Sequence, residues 1–453
     1  MKVFRIIMAI ALLVVGAGFS FSGAKAGAFS SYDSSIQLQN LDNAAGQVTL
    51  YFYNQDGSIK ATVGPDPLAA NGQVVYFPLP SSVGTFNGSV VVSSTVNVAS
   101  ISNVRGDAGE STGSYIAQSS GATTVNLPIL MKNNGAAQNS TWFNVQNVGL
   151  GDTNITVNYT DGTNANFNGL KKGAAHTFDQ KLETHSLPAF AGTVTSSGGQ
   201  PIVVTVIQET TQMLLASNGF TSGTTNLVAP LVNYQPSKGL ITGLNIKNMS
   251  GSTQTNVTVT YKLSTGTCTE TQTIPAGALK VFALLAFTPG TFPGVTTNCA
   301  KGAVSVGSAE VTTNSGGVQL AAIANQQKYA QSASAYGSFD KNLATGKFVA
   351  PLIHDRNGPY DLWSSVNMMN VGTNNTTITC TFTGVGYSYT SPNLIPGQGD
   401  VLLLLNKLAD PYAGGGSCVA NTPGAKIIAV VNQQGSRPNA DQMGTYEAIN
   451  VTP

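Results

Sequence analysis

Apolar and polar residues alternate along short stretches of this chain, and these stretches recur in a fixed order. The clearest example is residues 143–147 together with residues 155–159, which are separated by a glycine-rich break. Alternation with a period of two residues is typical of a β-strand with one buried face. Asp161-Gly162 follows directly and is a frequent hairpin turn. The pattern therefore predicts two strands and a hairpin.

This unit occurs four times, and the opening strand of each copy ends in an asparagine, which we call the marker asparagine: Asn40, Asn147, Asn248 and Asn370. The marker asparagines lie about 100 to 120 residues apart, a spacing typical of a tandem array. Each copy also contains a Pro/Gly turn and a closing apolar strand, which makes about six or seven short strands per copy. No segment after residue 26 has a helical period. The sequence predicts an all-β chain of four tandem immunoglobulin-like β-sandwiches.

The first 26 residues have the pattern of a secretory signal peptide. Lys2 and Arg5 form a basic start, residues 6–19 are apolar, and residues 24–26 match a small-x-small cleavage site. The apolar run is short for a membrane span, which needs about 20 residues. We therefore expect a mature chain that starts at Gly27, has no membrane span, and is secreted to the extracellular space or the cell surface.

A proline-containing apolar segment opens repeats two, three and four, around Pro128, Pro230 and Pro351. Proline within a sheet belongs on an edge strand, so these segments are predicted to be the first, edge strand of each sandwich. The mature first repeat has no such segment, and we expect it to expose an unpaired sheet edge. The predicted boundaries are signal peptide 1–26, repeat one 27–121, repeat two 122–223, repeat three 224–345, repeat four 346–443 and a C-terminal strand 444–453.

Composition narrows the range of functions. Charged residues make up 9% of the chain and the net charge is +1, whereas ordinary soluble domains have about 25% charged residues. No basic stripe is present to neutralise phosphates, so we expect no nucleic-acid partner. Few charges also mean little repulsion between copies, which permits close side-by-side association.

The four cysteines all lie in the second half of the chain. An exported chain meets oxidising conditions, in which disulfides are expected, and four cysteines allow three pairings. Because repeats three and four contain two cysteines each, we predict one disulfide within each repeat. The predicted pairs are Cys268–Cys299 and Cys380–Cys418.

Residues with the spacing of a catalytic or metal site are scarce. The histidines are His176, His185 and His354, and none has metal-ligand spacing. One GxSxG match, at residues 109–113, is followed by no helical period, so a loop is favoured over a nucleophile elbow. We predict no enzyme activity, no cofactor and no metal.

At the level of the repeat, the chain resembles the bacterial immunoglobulin-like repeats of exported surface and adhesion proteins, of the CARDB type. The marker asparagine followed by a strand such as residues 155–159 or 257–261 carries this resemblance. It implies a surface or adhesive role and no catalytic residues.

These observations favour a structural subunit of an extracellular homopolymer, which could be a filament, a sheath or a surface layer. The C-terminal residues resemble the first strands of the repeats, so we expect them to complete the first sandwich of the next copy by strand addition. The alternative for this segment is a strand that pairs within repeat four, or a frayed tail. The predicted donor residues are Ile449, Asn450, Val451, Thr452 and Pro453, and the predicted acceptor residues are Ile36, Leu38 and Asn40. The alternative is a monomeric cell-surface adhesin that binds other surface proteins or glycans.

Overall fold

The computed structural model describes residues 6–10, 27–107, 111–283, 294–300, 304–328, 332–435 and 443–451. These residues form antiparallel sheets almost throughout, with two 3₁₀ turns at Pro236–Lys238 and Lys341–Leu343, which confirms the all-β prediction. None of the helices in the described part of the chain has the length and apolar character that a membrane crossing requires. The chain divides into two compact units, Met1–Thr221 and Ser222–Pro453.

The first unit contains the first two repeats, and each repeat is a pair of four-stranded sheets. The strands of repeat one are β1 (Ile6–Ile10), β2 (Tyr32–Asn40), β3 (Gly46–Asn54), β4 (Ile59–Leu68), β5 (Gln73–Tyr76), β6 (Gly88–Ser94), β7 (Val98–Gly106) and β8 (Ser111–Ile116). Those of repeat two are β9 (Thr124–Met131), β10 (Ser140–Asn147), β11 (Thr153–Tyr159), β12 (Asn164–Leu170), β13 (Ala175–Asp179), β14 (Ala189–Ser196), β15 (Ile202–Glu209) and β16 (Leu214–Asn218).

The second unit contains repeats three and four. The strands of repeat three are β17 (Asn226–Gln235), β18 (Leu240–Asn248), β19 (Thr255–Leu263), β20 (Gly266–Ile274), β21 (Leu279–Phe282), β22 (Thr296–Thr297), β23 (Ser305–Thr313), β24 (Leu320–Lys328), β25 (Ser332–Gly337) and β26 (Phe339–Asp340). Those of repeat four are β27 (Lys347–Asp355), β28 (Trp363–Asn370), β29 (Ile378–Phe382), β30 (Ser388–Thr390), β31 (Gly399–Leu403), β32 (Tyr412–Ala420), β33 (Ile427–Gln434), β34 (Met443–Glu447) and β35 (Ile449–Val451).

Each repeat has one sheet that contains the strand ending in the marker asparagine, which we call the marker sheet, and one outer sheet. In repeat one the marker sheet has the order β5-β2-β7-β8 and the outer sheet has the order β1-β6-β3-β4. Repeats two and four follow the same plan. In repeat three the two layers join into one ten-stranded sheet, because β17 pairs with β18 at its end.

The marker asparagine joins two parts of its sandwich. Asn147 is buried, and its Nδ2 donates to the backbone oxygens of Gly151 at 2.8 Å and Leu170 at 3.0 Å. Its Oδ1 accepts from the N–H of Gly149 at 3.0 Å. One side chain therefore closes its own turn and holds the end of the following hairpin. Asn40, Asn248 and Asn370 make the equivalent bonds, which gives the sequence repeat a structural reason.

The central strands of the marker sheets are largely buried on both faces, which differs from the half-buried strands that the alternation predicts. The outer strand β11 does alternate between buried and exposed positions, whereas every residue of β10 and β15 is buried. The polar face of each marker sheet lies against the neighbouring repeat of its unit. Contacts there include Ser111 Oγ to the backbone oxygen of Gln212 at 2.8 Å, and Ser334 Oγ to Thr445 Oγ1 at 2.7 Å.

The two predicted disulfides, Cys268–Cys299 and Cys380–Cys418, are both present. The first joins β20 to the segment after β22, and the second links directly opposed residues of β29 and β32. Each bond therefore ties together strands of a single repeat, as the prediction requires.

We predict that Asn370→Ala destabilises the protein, because the Asn374 carbonyl loses its donor and the Leu394 carbonyl keeps its bond from the Thr376 N–H but loses the one from Asn370. A buried polar group without a partner costs about 1–3 kcal/mol. Urea unfolding should report a loss of that size. The control is Asn375→Ala, an exposed position nearby, and equal losses for the two variants would contradict the role of the marker asparagine.

Lys247 carries an ionisable group into the polar face of a marker sheet. It precedes Asn248, and the equivalent positions of the other repeats hold Gln39, Gln146 and Met369. The Lys247 side chain is buried, and burial lowers the pKa of its ammonium group to about 7. Below that pH the folded protein must keep a charged group out of water.

We predict that Lys247→Met removes a rise in stability between pH 7 and pH 9. The unfolded chain keeps the proton up to a pKa of about 10.4, while the folded protein releases it above about 7, so the free energy of unfolding increases across this range. Over two pH units wild type should gain about 2–3 kcal/mol relative to the variant in urea unfolding. Lys280→Met, at an exposed lysine, is the control. A wild-type-to-variant difference that is the same at both pH values would contradict the prediction.

Candidate strand-acceptor site

In repeats two, three and four, the first strand pairs with the structurally equivalent strand of that repeat's outer sheet. These pairs are β9 with β14, β17 with β23, and β27 with β32, all antiparallel. Their registers agree: Val125 lies opposite Val194, Leu227 opposite Val311, and Phe348 opposite Cys418. The first strand therefore closes one edge of the outer sheet in each of these repeats.

In repeat one, β6 is the strand that corresponds to β14, β23 and β32. The segment Ile6–Ile10, which forms β1, pairs antiparallel with β6 and places residue 8 opposite Val92 and residue 10 opposite Val90. This is the direction and register of the other first strands. Ile6–Ile10 thus occupies the first-strand position of repeat one, although it lies within the predicted signal peptide. We call the edge of β6 that it covers the acceptor edge.

Apolar residues lie directly behind the acceptor edge. Val90 and Val92 are fully buried, and they pack in one core with Leu50 and Phe52 of the neighbouring strand β3. Removing the strand at this edge would expose the flank of this core together with the backbone groups of β6. Both changes are unfavourable, since unpaired strand edges readily recruit another strand.

The second unit shows what surrounds a first strand on its other face. Val228 of β17 is fully buried and packs against Met369 and Ile428 of repeat four. In both units the second repeat contacts the first repeat through an equivalent hydrogen bond. In unit two Ser308 Oγ donates to the Gly397 oxygen at 2.8 Å, and in unit one Ser89 Oγ donates to the Gly173 oxygen.

In unit one the positions of Met369 and Ile428 are held by Gln146 and Val203. Gln146 is buried and its Nε2 lies 3.5 Å from the Val90 oxygen, next to the acceptor edge. A strand at this edge therefore has two neighbours, which are the core of repeat one and the marker sheet of repeat two.

The predicted acceptor residues lie in a different strand. Ile36, Leu38 and Asn40 belong to β2, which pairs with β5 on one side and with β7 on the other. Ile36 and Leu38 contribute side chains to the core behind the acceptor edge, but β2 offers no edge to a further strand. Strands flank β2 on both sides at Ile36 and Leu38, and the first-strand position of repeat one lies beside β6.

The predicted donor residues have an intramolecular place. Ile449–Val451 form β35, which pairs with residues 347–349 of β27, and Asn450 Nδ2 donates to the Ile427 oxygen at 2.8 Å. Thr452 and Pro453 lie outside the described residues. In this single chain, β35 completes repeat four.

A counterpart of β35 occurs at the end of repeats two and three. Phe220 bridges Asn126 of β9, and Phe339 lies opposite Val228 of β17, each two residues after the preceding strand ends. Ile449 also follows β34 by two residues. Comparison of the C-terminal residues with the first strands did not reveal these counterparts at Phe220 and Phe339. Their signal in the sequence is a single apolar residue at a fixed offset from the preceding strand, which is weak.

Each of the three histidines is packed against, or hydrogen-bonded to, other side chains of the fold. His176 stacks on Phe167 with ring centroids 3.7 Å apart, and burial lowers its pKa to about 4. His354 is also buried, and burial lowers its pKa to about 4. The Nδ1 of His185 lies 3.0 Å from Asp161 Oδ2. Across the described ranges, no group of three or more His, Cys, Asp or Glu side chains is arranged to hold a metal ion.

The GxSxG match at residues 109–113 has no nucleophile-elbow geometry in its described part. Ser111 is buried, begins strand β8, and donates its hydroxyl to the Gln212 oxygen at 2.8 Å. A nucleophile elbow needs an exposed serine between a strand and a helix. Residues 109 and 110 lie outside the described residues.

No protein-family model and no curated protein sequence matches this chain.

We predict that a synthetic peptide with the sequence of β9, Thr124–Met131, binds the mature chain Gly27–Pro453. This strand has the register that the acceptor edge requires, and each buried apolar side chain contributes about 1.5–3 kcal/mol. The peptide should raise the unfolding temperature of the mature chain and protect the β6 amides from hydrogen exchange. A matched peptide with asparagine in place of Val125 and Leu127 should do neither.

The control protein for this experiment is a closed chain, in which the β9 sequence is joined to Gly27 by a flexible linker so that the acceptor edge is filled in cis. The closed chain should not respond to the peptide. Equal responses of the mature and closed chains, or of the two peptides, would show that β6 is not the binding edge.

Proposed function

We propose that this protein is a structural subunit of an extracellular assembly, in which a strand from a neighbouring copy fills the acceptor edge of repeat one. The observation that carries the proposal is the occupant of that edge. Three repeats supply their own first strand, whereas repeat one uses Ile6–Ile10, which export would remove. After removal, strand addition is the direct way to restore the missing backbone pairs.

Composition and covalent structure support this proposal. A chain with 9% charged residues and a net charge of +1 has little electrostatic repulsion between copies. The two disulfides are compatible with an oxidising, extracellular environment. Contacts from one repeat to the next that do not close on themselves generate filaments or sheets.

The donor that we propose is the C-terminal segment of a neighbouring copy, centred on Ile449–Val451. Its intramolecular pairing covers three residues of β27, and all three of its side chains are half-buried. The acceptor edge offers five paired positions, as Ile6–Ile10 shows. The exchange therefore resembles a domain swap, in which one set of strand pairs replaces another of similar size.

We predict that the mature chain Gly27–Pro453 polymerises in electron micrographs, while two matched proteins stay monomeric. The first is the closed chain, whose acceptor edge is already filled. The second is the precursor that retains residues 1–26. A third protein, truncated after Ala448, tests the donor and keeps the buried strand β34 in place. It should not polymerise if the C-terminal segment is the donor.

Each outcome discriminates between mechanisms. Polymers from the truncated chain but not from the closed chain would retain the acceptor edge and exclude the C-terminal donor. Polymers from all four proteins would exclude strand addition at β6. Monomers in every case would contradict the assembly proposal and favour a cell-surface adhesin.

A further inference from the structure

A first strand has one residue that points away from its own core and enters a pocket shared with the following repeat. In unit two, Leu227 and Ala229 of β17 belong to the core of repeat three, while Val228 between them packs against repeat four. Val228 is fully buried there. The residues around it are all apolar: Ala344, Met369, Val371, Ile428 and the partly buried Phe339. We call such a pocket the outward pocket of its unit.

The corresponding pocket of unit one lies at the acceptor edge, and two of its positions hold amides. Gln146 stands at the position of Met369. Gln118 stands at the position of Phe339, because each follows the preceding strand, β8 or β25, by two residues. Gln118 is half-buried, and its Nε2 donates to the Val204 oxygen at 3.3 Å. A pocket that is apolar in unit two is therefore partly polar in unit one.

Gln146 brings an unused hydrogen-bond acceptor to this pocket. The side chain is fully buried, and its Nε2 lies 3.3 Å from the Gly173 oxygen and 3.5 Å from the Val90 oxygen. Its Oε1 has no hydrogen-bond partner among the described residues. A buried acceptor without a partner is unfavourable. A strand whose outward residue carries an N–H or O–H group would satisfy this oxygen, whereas an apolar outward residue would leave it unpaired.

The outward position of a strand at the acceptor edge lies opposite Val91. In β1 this position is residue 9. Asn126 of β9 and Val228 of β17 occupy the equivalent position in repeats two and three. Val349 of β27 occupies it in repeat four. The β9 sequence therefore matches the polar pocket of unit one, and the β17 and β27 sequences do not.

For the C-terminal segment, the register decides which side chain reaches the pocket. Alignment of its proline with the prolines of the first strands would place Asn450 opposite Val92, on the core side. A shift of one residue instead places Ile449 and Val451 on the core side, and Asn450 then lies opposite Val91 and faces the outward pocket. The shifted register is favoured because it buries apolar side chains in the core and keeps the amide out of it.

We propose that the outward pocket of unit one selects the donor strand, and that Asn450 of the neighbouring copy donates a hydrogen bond to Gln146 Oε1. Both statements rest on the proposed function, in which a strand of another copy fills the acceptor edge, and they add its register and the residue that recognises it. Selection works because a strand with an apolar outward residue, such as β17 or β27, leaves the Gln146 acceptor unpaired. In the single chain Asn450 Nδ2 donates to the Ile427 oxygen at 2.8 Å, so the exchange replaces one hydrogen bond with another.

Peptide affinity tests the preference of the pocket. The two peptides are the β9 sequence Thr124–Met131 and the same sequence with Asn126→Val, which keeps the core-facing side chains. Their affinities for the mature chain Gly27–Pro453 are measured by fluorescence anisotropy at a concentration at which the chain is monomeric. We expect the valine peptide to bind about five- to tenfold more weakly, as the loss of one buried hydrogen bond predicts. In a Gln146→Met chain this difference should disappear.

Disulfide trapping tests the register, since all four native cysteines are paired. A mature chain with Gln146→Cys is oxidised mildly with C-terminal peptides, Tyr446–Pro453, that carry either Asn450→Cys or Ile449→Cys. We expect the 450 peptide to cross-link several-fold faster, because its cysteine enters the pocket while that of the 449 peptide faces the core. The control is Gln146→Cys in the closed chain, which should cross-link to neither peptide.

The outcomes separate this proposal from strand addition itself. Equal affinities of the two β9 peptides for the unaltered mature chain would overturn selection by the pocket and leave strand addition in place, and this comparison needs no variant of the chain to fold. Faster cross-linking of the 449 peptide, or no cross-link from either peptide, would overturn the role of Asn450. Failure of the β9 and C-terminal peptides to bind the mature chain would contradict strand addition at β6 and the selection with it.

Discussion

The backbone N–H and C=O groups along a sheet edge need partners, and the outer sheet of each repeat depends on a first strand to supply them. Repeats two, three and four contain that strand. In repeat one the same register is filled by Ile6–Ile10, from a segment with the pattern of a signal peptide. If export removes this segment, as we propose, folding of the first sandwich and export of the chain make opposite demands on it. A strand from another copy resolves this conflict, and for that reason assembly is the function we favour.

A second constraint accounts for the unusual composition. The central strands of the marker sheets are largely buried on both faces, and one of these faces is polar. Buried charges are costly, whereas amide and hydroxyl side chains can pair with each other at short range. The polar faces therefore consist largely of Asn, Gln, Ser and Thr, and Lys247 is a charged exception. The shortage of charged residues reflects how the repeats pack within each unit, as well as how copies could approach one another.

The sequence predicted much of the architecture because period-two alternation and the marker asparagines are strong local signals. It also predicted both disulfides, since each repeat of the second half holds one pair of cysteines. It misassigned the polar face of strands such as β10 to solvent, because alternation does not tell water from a polar neighbour. The predicted acceptor residues lie on β2 and not at the first-strand position beside β6, because strand order across a sheet depends on long-range pairing. The sequence left two places open for the C-terminal strand, one within repeat four and one in the next copy, because the signal for β35 is one residue, Ile449, at a fixed offset.

Hydrogen exchange of the β6 amides tests the central claim most directly. The chain Gly27–Pro453 would be compared in its assembled form and after dissociation into monomers, with the amides of β14 as an internal reference because β9 covers that strand in cis. Our account predicts that the alternate amides of residues 88–94 that face the acceptor edge exchange rapidly in the monomer and become protected in the assembly. The amides of β6 that pair with β3, and those of β14, should stay protected in both. Equal protection of β6 in the two states would contradict it.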